Sequence, residues 1–197
     1  MRTPLRRHTR RIKVIVYQET LFDYKEHCWT FLGAFLGIGL VGLLSQYRLA
    51  PVDAPLLIGS FGASSVLIYG VINSPLAQPR NLVGGHVLSA FIGVTVHQLV
   101  PQPLWLAAAL AVSLAIVGMQ ITKTLHPPGG ATALIAIIGS PQLKALGYWY
   151  VIAPVLAGAV LLLLVAVVVN KLAPTRHYPA NKNWYRVWRR TYPPAGL

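Results

Sequence analysis

The sequence predicts an all-α membrane protein of about six helical segments, four long spans plus two short or broken helices. Three observations carry this. The chain is 55% hydrophobic and only 11% charged, with mean hydropathy +0.57, whereas soluble domains carry about 25% charged residues. Its four acidic residues, Glu19, Asp23, Glu26 and Asp53, all lie in the first 53 positions, so the rest of the chain has no carboxylate with which to solvate a surface. Apolar runs long enough to cross about 30 Å of hydrocarbon recur along it.

The net charge of +13 raises nucleic acid as a partner, but the cations are not spread over a domain face. They gather in MRTPLRRHTRRIK at the start and KLAPTRHYPANKNWYRVWRR at the end. Basic flanks outside apolar spans are what membrane proteins leave on the cytoplasmic side, against anionic lipid headgroups. A lipid bilayer is the expected partner, and no nucleic acid. The single cysteine, Cys28, rules out an internal disulfide and a cysteine metal cluster.

Residues 1–28 form a basic N-terminal segment. It lacks the compact apolar run and cleavage site of a secretory signal, and IKVIVYQETLFDYKEH reads as an interfacial helix or a loose tail. Residues 29–172 form one transmembrane helical domain. The first span, 29–47, carries Gly33 and Gly37, a G-x-x-x-G pair that permits close helix contact within the chain or between subunits of a homo-oligomer. The second segment, 56–72, is broken by GSFGASS, which leaves a short helix after Gly62. NSPLAQPRN makes a turn, and 82–100 is a long span holding His86, Ser89 and His97. The fourth segment, 104–122, has Ala107, Ala111 and Ala115 at helical spacing.

LHPPGGATALIA follows. Proline is favoured in a first helical turn, which has no use for its N–H, so HPPGG predicts a helix start and Gly139 its end. A last span covers 148–170, and 173–197 is a basic aromatic tail suited to a headgroup belt through residues such as Tyr178, Trp184 and Trp188.

The order long span, Gly-rich break, short helix, Ser-Pro turn, long span occurs twice. GASSVLI from Gly62 aligns with GATALIA from Gly130, and Ser74-Pro75 with Ser140-Pro141. The basic termini place both ends in the cytoplasm, expected here as that of a bacterium with the chain in its inner (plasma) membrane, so the crossings are even in number. Six crossings leave Arg80 and Lys123 inside, with Arg48 and Lys144 outside. Four would leave all of them outside, so six fits the positive-inside rule better. Three crossings per half would make an inverted pair of three-helix units, a plan transporters use.

In that plan two short helices aim their N-termini at the membrane centre. Unpaired N–H groups and about half a positive charge at each favour an anion. The candidate substrate-binding residues are Ser60, Gly62, Ser64 and Ser65 from the first break, and His126, Gly129, Gly130 and Thr132 from the second, together with His86. The absence of a carboxylate within the spans argues against a cation. His126 is able to exchange a proton near neutral pH. Each residue also has a structural reading. The histidines tie helices together, the hydroxyls bond their own helix carbonyls, and the glycines serve packing. His86, His97 and His126 have no ligand spacing within one helix, and no nucleophilic triad, paired carboxylates or phosphate loop is present. No enzymatic activity, cofactor or metal is expected.

LHPPGGATALI, PLLIGSFGASSVLIYG and SPLAQPRNLVGGHVLSAFIGV, in this order, resemble the HPP family of integral membrane proteins, named for the motif at His126, Pro127 and Pro128. The resemblance covers roughly residues 30–171. It implies a small helical membrane protein, and links to nitrite transport in some members. The family is often described with four spans, against the six read here. The expected function is a transporter or channel for a small inorganic anion, nitrite leading. A structural or assembly subunit and a histidine-based metal-binding membrane protein are the alternatives.

Overall fold

The computed structural model describes residues 23–49 and 51–180, and among them no strand occurs. The expected interfacial helix of the first segment and most of the aromatic tail lie outside these residues. Helix α1 runs Tyr24–Arg48, five residues earlier than the apolar run. The Asp23 carboxylate caps it by accepting from the Lys25 and Glu26 amides at 3.0 and 3.2 Å, which satisfies donors a helix start leaves open. Helix α2, Ala54–Ser65, continues into a π-helical turn, Val66–Gly70. Helices α3 (Pro79–Leu99) and α4 (Leu104–Ile121) follow. Helix α5 is Pro127–Ile138, α6 the short Pro141–Ala145, and α7 a π-helical turn, Val151–Leu156, leading into Ala157–Leu172. Among the described residues four helical stretches are long and apolar enough to cross a membrane: Tyr24–Tyr47, Pro79–Leu99, Leu104–Ile121 and Val151–Leu172.

Polar contacts define the two ends of the bundle. At one end Glu26 pairs with Arg176 at 2.7 Å, Asn170 donates to the Ile68 carbonyl at 3.1 Å, and Asn81 donates to the Leu125 carbonyl at 2.8 Å. At the other, the Ser140 amide donates to Asp53 Oδ1 at 2.9 Å, and Thr95 meets Tyr148 Oη at 3.1 Å. The six longer helices therefore alternate in direction, and the first and last of them meet at the same end. Helices α2 and α5 each run from one end to the other, antiparallel to one another.

Two expectations need correction here. The chain does not break at Gly62: α2 passes through it, and a Cβ there would meet nothing within 4 Å. A glycine costs a helix about 1 kcal/mol in water, but in hydrocarbon an opened backbone costs more, so the ladder is kept. Tyr178 does not sit in a headgroup belt. It is buried, and its hydroxyl donates to the Ala77 carbonyl at 2.8 Å.

The glycine pair of α1 is used within the chain. A Cβ at Gly33 or Gly37 would lie 2.4 Å from the Tyr69 ring or its hydroxyl oxygen, so the pair makes a seat for that ring. The alanine stripe of α4 is fully buried against Val96, Ala133 and Ile137. Large apolar side chains such as Phe35, Trp105, Ile121 and Leu164 remain exposed, as suits a lipid-facing surface.

Candidate functional site

Helix α5 lies in the middle of the bundle, packed closest on α3 and then on α4. Small residues make that approach. Gly85, Ser89 and Gly93 recur at intervals of four on α3, a stripe like that of α4 which the sequence reading passed over. A Cβ at Gly93 would fall 2.6 Å from the Ala133 carbonyl oxygen, and one at Gly85 2.6 Å from His126 Cβ. One at Gly129 would fall 2.8 Å from Ser89 Oγ. Removing these side chains brings the first turn of α5 against α3 at the level of His86.

Five of the nine predicted site residues meet there. Ser64 Oγ lies 2.7 Å from His86 Nε2 and 2.9 Å from His126 Nε2. His86 Nδ1 lies 2.7 Å from Thr132 Oγ1. Thr132 Oγ1 lies 2.8 Å from Ser60 Oγ, and Ser60 donates to the Pro128 carbonyl at 3.0 Å. His126 Nδ1 lies 2.9 Å from the Leu76 carbonyl oxygen. The two imidazole centroids are 5.0 Å apart, and the ring of Phe61 packs tilted against His86 at the same distance. Ser60, Ser64, His86, His126 and Thr132 are all buried. Ser60 and Ser64 share a face of α2 because they are four residues apart.

The other four predicted residues stand apart from this chain. Ser65 is buried with its hydroxyl unbonded, as is Ser89. Gly62 and Gly130 are half-buried. Gly129 is buried, but its amide donates to the His126 carbonyl at 2.8 Å. With Pro127 and Pro128 carrying no N–H, two of the donors expected at this turn are absent and the Gly129 amide is engaged. The helix start contributes its dipole. The matching N-terminus expected at Gly62 does not exist, because α2 is continuous there.

The cluster is closed. Cavities of about 350 Å³ between α1, α2 and α7, about 10 Å³ beside His97 and Lys144, and about 410 Å³ beside Gly84 and Phe91 touch none of the nine residues. Phe61 lines the first of these and separates it from His86. His97 lies by Lys144, away from the other two histidines. Among the described residues no three histidine, cysteine or carboxylate side chains gather as metal ligands would. Sequence reasoning also missed the Leu76 carbonyl, which fixes His126 from a short turn, Pro75–Ala77, and Tyr150, whose hydroxyl donates to the Thr132 carbonyl at 3.0 Å. Tertiary packing brings both to the site, and nothing local in the sequence marks them.

The HPP transmembrane region, as a family model, matches residues 19–179. Two proteins of Dictyostelium discoideum, each described only as a transmembrane protein, are 46% identical to the chain over 160 residues. The matched part is 80% of this chain but 56% and 51% of theirs, so the chain spans about half the length of the curated relatives it matches. No solved structure matches. The three sequence blocks that meet in the cluster, the span of the family match and the extent of the identity agree: this chain belongs to the HPP family of transmembrane proteins.

Proposed function

We propose that this protein moves a small inorganic anion across the membrane, nitrite leading, together with a proton. The observation that carries the reading is the buried run of two imidazoles and three hydroxyls inside an otherwise apolar bundle. Ionisable groups at such depth are expensive and mark transport paths or proton relays. Nitrite, the anion of a weak acid, is able to bind the proton itself; nitrate and chloride, anions of strong acids, travel with one only where the protein holds it. In this reading both termini face the cytoplasm, where the basic flanks meet anionic headgroups. The directions of α1, α2 and α3 are opposite to those of α4, α5 and α7, which accords with an inverted pair of units.

The test is flux into liposomes holding the purified protein, with nitrite, formate, nitrate and chloride offered in turn and protein-free liposomes as control. Nitrite uptake above control, rising as the outside is acidified, is the expected result. His126→Ala should lower that flux and flatten its pH dependence while the protein still inserts.

A structural or assembly subunit is the second reading. The bonding favours it, since every member of the cluster is buried and bonded to another. Flux of none of the four anions would decide for this reading over transport of those solutes.

A further inference from the structure

We infer that the chain Leu76–His126–Ser64–His86–Thr132–Ser60–Pro128 is a binding site for one proton, because its hydrogen-bond links outnumber its hydrogens by one. The inference deepens the proton half of the proposed transport, but it rests on the hydrogen bonds alone.

The count starts at the ends. Both are backbone carbonyls, of Leu76 and Pro128, and a carbonyl oxygen only accepts. Between them lie six links, of 2.9, 2.9, 2.7, 2.7, 2.8 and 3.0 Å in the order from Leu76 to Pro128. Two neutral imidazoles and three hydroxyls supply one hydrogen each, five in all. One link is therefore always an acceptor facing an acceptor. A sixth hydrogen fills it, and a seventh has no link to occupy.

The carbonyls fix each bond's direction relative to the vacant link: hydrogens on its Leu76 side point towards Leu76, and those on its Pro128 side towards Pro128. With the vacancy at the Pro128 end, His126 holds its proton on Nδ1, towards Leu76, Ser64 donates to His126 Nε2, His86 donates from Nε2 to Ser64, and Thr132 donates to His86 Nδ1. The two histidines are then in opposite tautomers, whereas a vacancy on either side of Ser64 puts both protons on Nδ1. A proton taken up at Ser60 shifts each hydrogen one link towards Leu76: the Ser60 hydrogen passes to Thr132, the Thr132 hydrogen to His86 Nδ1, the His86 Nε2 hydrogen to Ser64 and the Ser64 hydrogen to His126 Nε2. His126 Nε2–H then donates to Ser64, Ser64 to His86 Nε2, His86 Nδ1–H to Thr132, Thr132 to Ser60, and Ser60 to Pro128. One N–H bond forms for each proton taken up, none is lost overall, and the gap closes. Longer contacts within a helix, Ser64 to the Ser60 carbonyl at 3.3 Å and Thr132 to the Pro128 carbonyl at 3.5 Å, are the resting places of a hydroxyl out of line.

The surroundings agree with a count of one. Phe61 of α2 packs tilted against His86. Gly85 of α3 approaches His126 Cβ, and Met119 of α4 lies against Gly85. Tyr150, at the start of α7, bonds the Thr132 backbone. Among the described residues no Asp, Glu, Lys or Arg side chain bonds a member of the chain. Asp53 is engaged with Ser140 at the far end, and Arg80 donates to the Thr122 carbonyl. The positive end of α5 lies at its N-cap, His126, and resists a second charge.

The experiment is a ¹⁵N NMR titration of the ring nitrogens in the full chain, held in lipid nanodiscs, with His8, His27, His97 and His177 each replaced by Gln. The expected spectrum at high pH shows two neutral histidines, each protonated on one ring nitrogen. On acidification both signals should move through one shared transition worth one proton. Ser64→Ala cuts the chain and should split that transition into independent ones, while Thr132→Ser, which keeps the hydroxyl, should preserve it. Two protons taken up by the folded pair, or no uptake while the protein stays folded, would each overturn the inference. A shared transition without anion flux would remove the transport reading and leave the proton site; nitrite flux without a shared transition would do the reverse.

Discussion

Ser64 holds two imidazoles with one oxygen, so its loss is felt twice. Ser64→Ala leaves both Nε2 atoms buried without that partner, and each orphaned polar atom costs about 1–3 kcal/mol. A loss of about 2–4 kcal/mol is expected in unfolding of the detergent-solubilised protein, against little change for Ser65→Ala, whose hydroxyl bonds nothing. The glycines divide the same way. Gly93→Ala would drive a methyl to 2.6 Å from the Ala133 carbonyl oxygen, where α5 cannot yield without moving as a whole; Gly62→Ala meets nothing within 4 Å. The first should lower the melting temperature by several degrees and the second leave it level or raise it, since alanine is the better helix former. At this scale the sequence was legible by residue type. His86, His126, Ser60, Ser64 and Thr132 stood out as polar groups in apolar spans. What could not be read was their partnering, because Ser64 to His126 closes over 62 positions and the bond to Leu76 is made by a backbone carbonyl that every residue possesses.

Among the elements, the ones bounded by local chemistry were read closely and the others were not. Proline in the first turn and glycine at the end mark α5 whatever surrounds it, and the helix spans Pro127–Ile138. The GSFGASS stretch has the same glycine content but no proline, and the helix runs on. The segment after α7 is the least expected element. Arg176 is buried and donates to Glu26, Thr30, Asn170 and the carbonyls of Glu26 and Tyr69. Two residues on, Tyr178 bonds the Ala77 carbonyl, next to the Leu76 carbonyl that accepts from His126. Burial pushes the Tyr178 phenol up, so it stays a donor at any physiological pH. Residues 173–180 thus strap the turn that holds the histidine. Arg176→Ala should lower the melting temperature by several degrees, and Arg176→Lys should not restore it, because one ammonium cannot reach so many acceptors in the plane a guanidinium spans. Tyr178→Phe should have a smaller effect on melting but move the His126 ring signals in the titration above.

The direction of each helix makes the whole molecule testable. Six alternating helices put residues 73 and 123 at the end shared with Glu26 and Arg176, and residues 102 and 142 at the other. Four spans with re-entrant α2 and α5 would put 73, 123 and 142 together and leave 102 alone on the opposite side. The two arrangements differ in a single pattern, so labelling with a membrane-impermeant maleimide separates them. In a Cys28→Ser background, with Cys28 the chain's one cysteine, the single changes Asn73→Cys, Lys123→Cys, Gln102→Cys and Gln142→Cys fall on described and mostly exposed positions. On the proposed orientation, with both termini cytoplasmic, intact cells should label at 102 and 142, and at 73 and 123 only once permeabilised. The physical reason for expecting six is at the ends of α2 and α5. The Asp53 carboxylate at the start of α2 binds Ser140 just past the end of α5, so these two helices begin at opposite ends of the bundle, and a re-entrant pair would have to begin at the same one. Labelling at 73, 123 and 142 from outside, with 102 protected, would refute the six-crossing order.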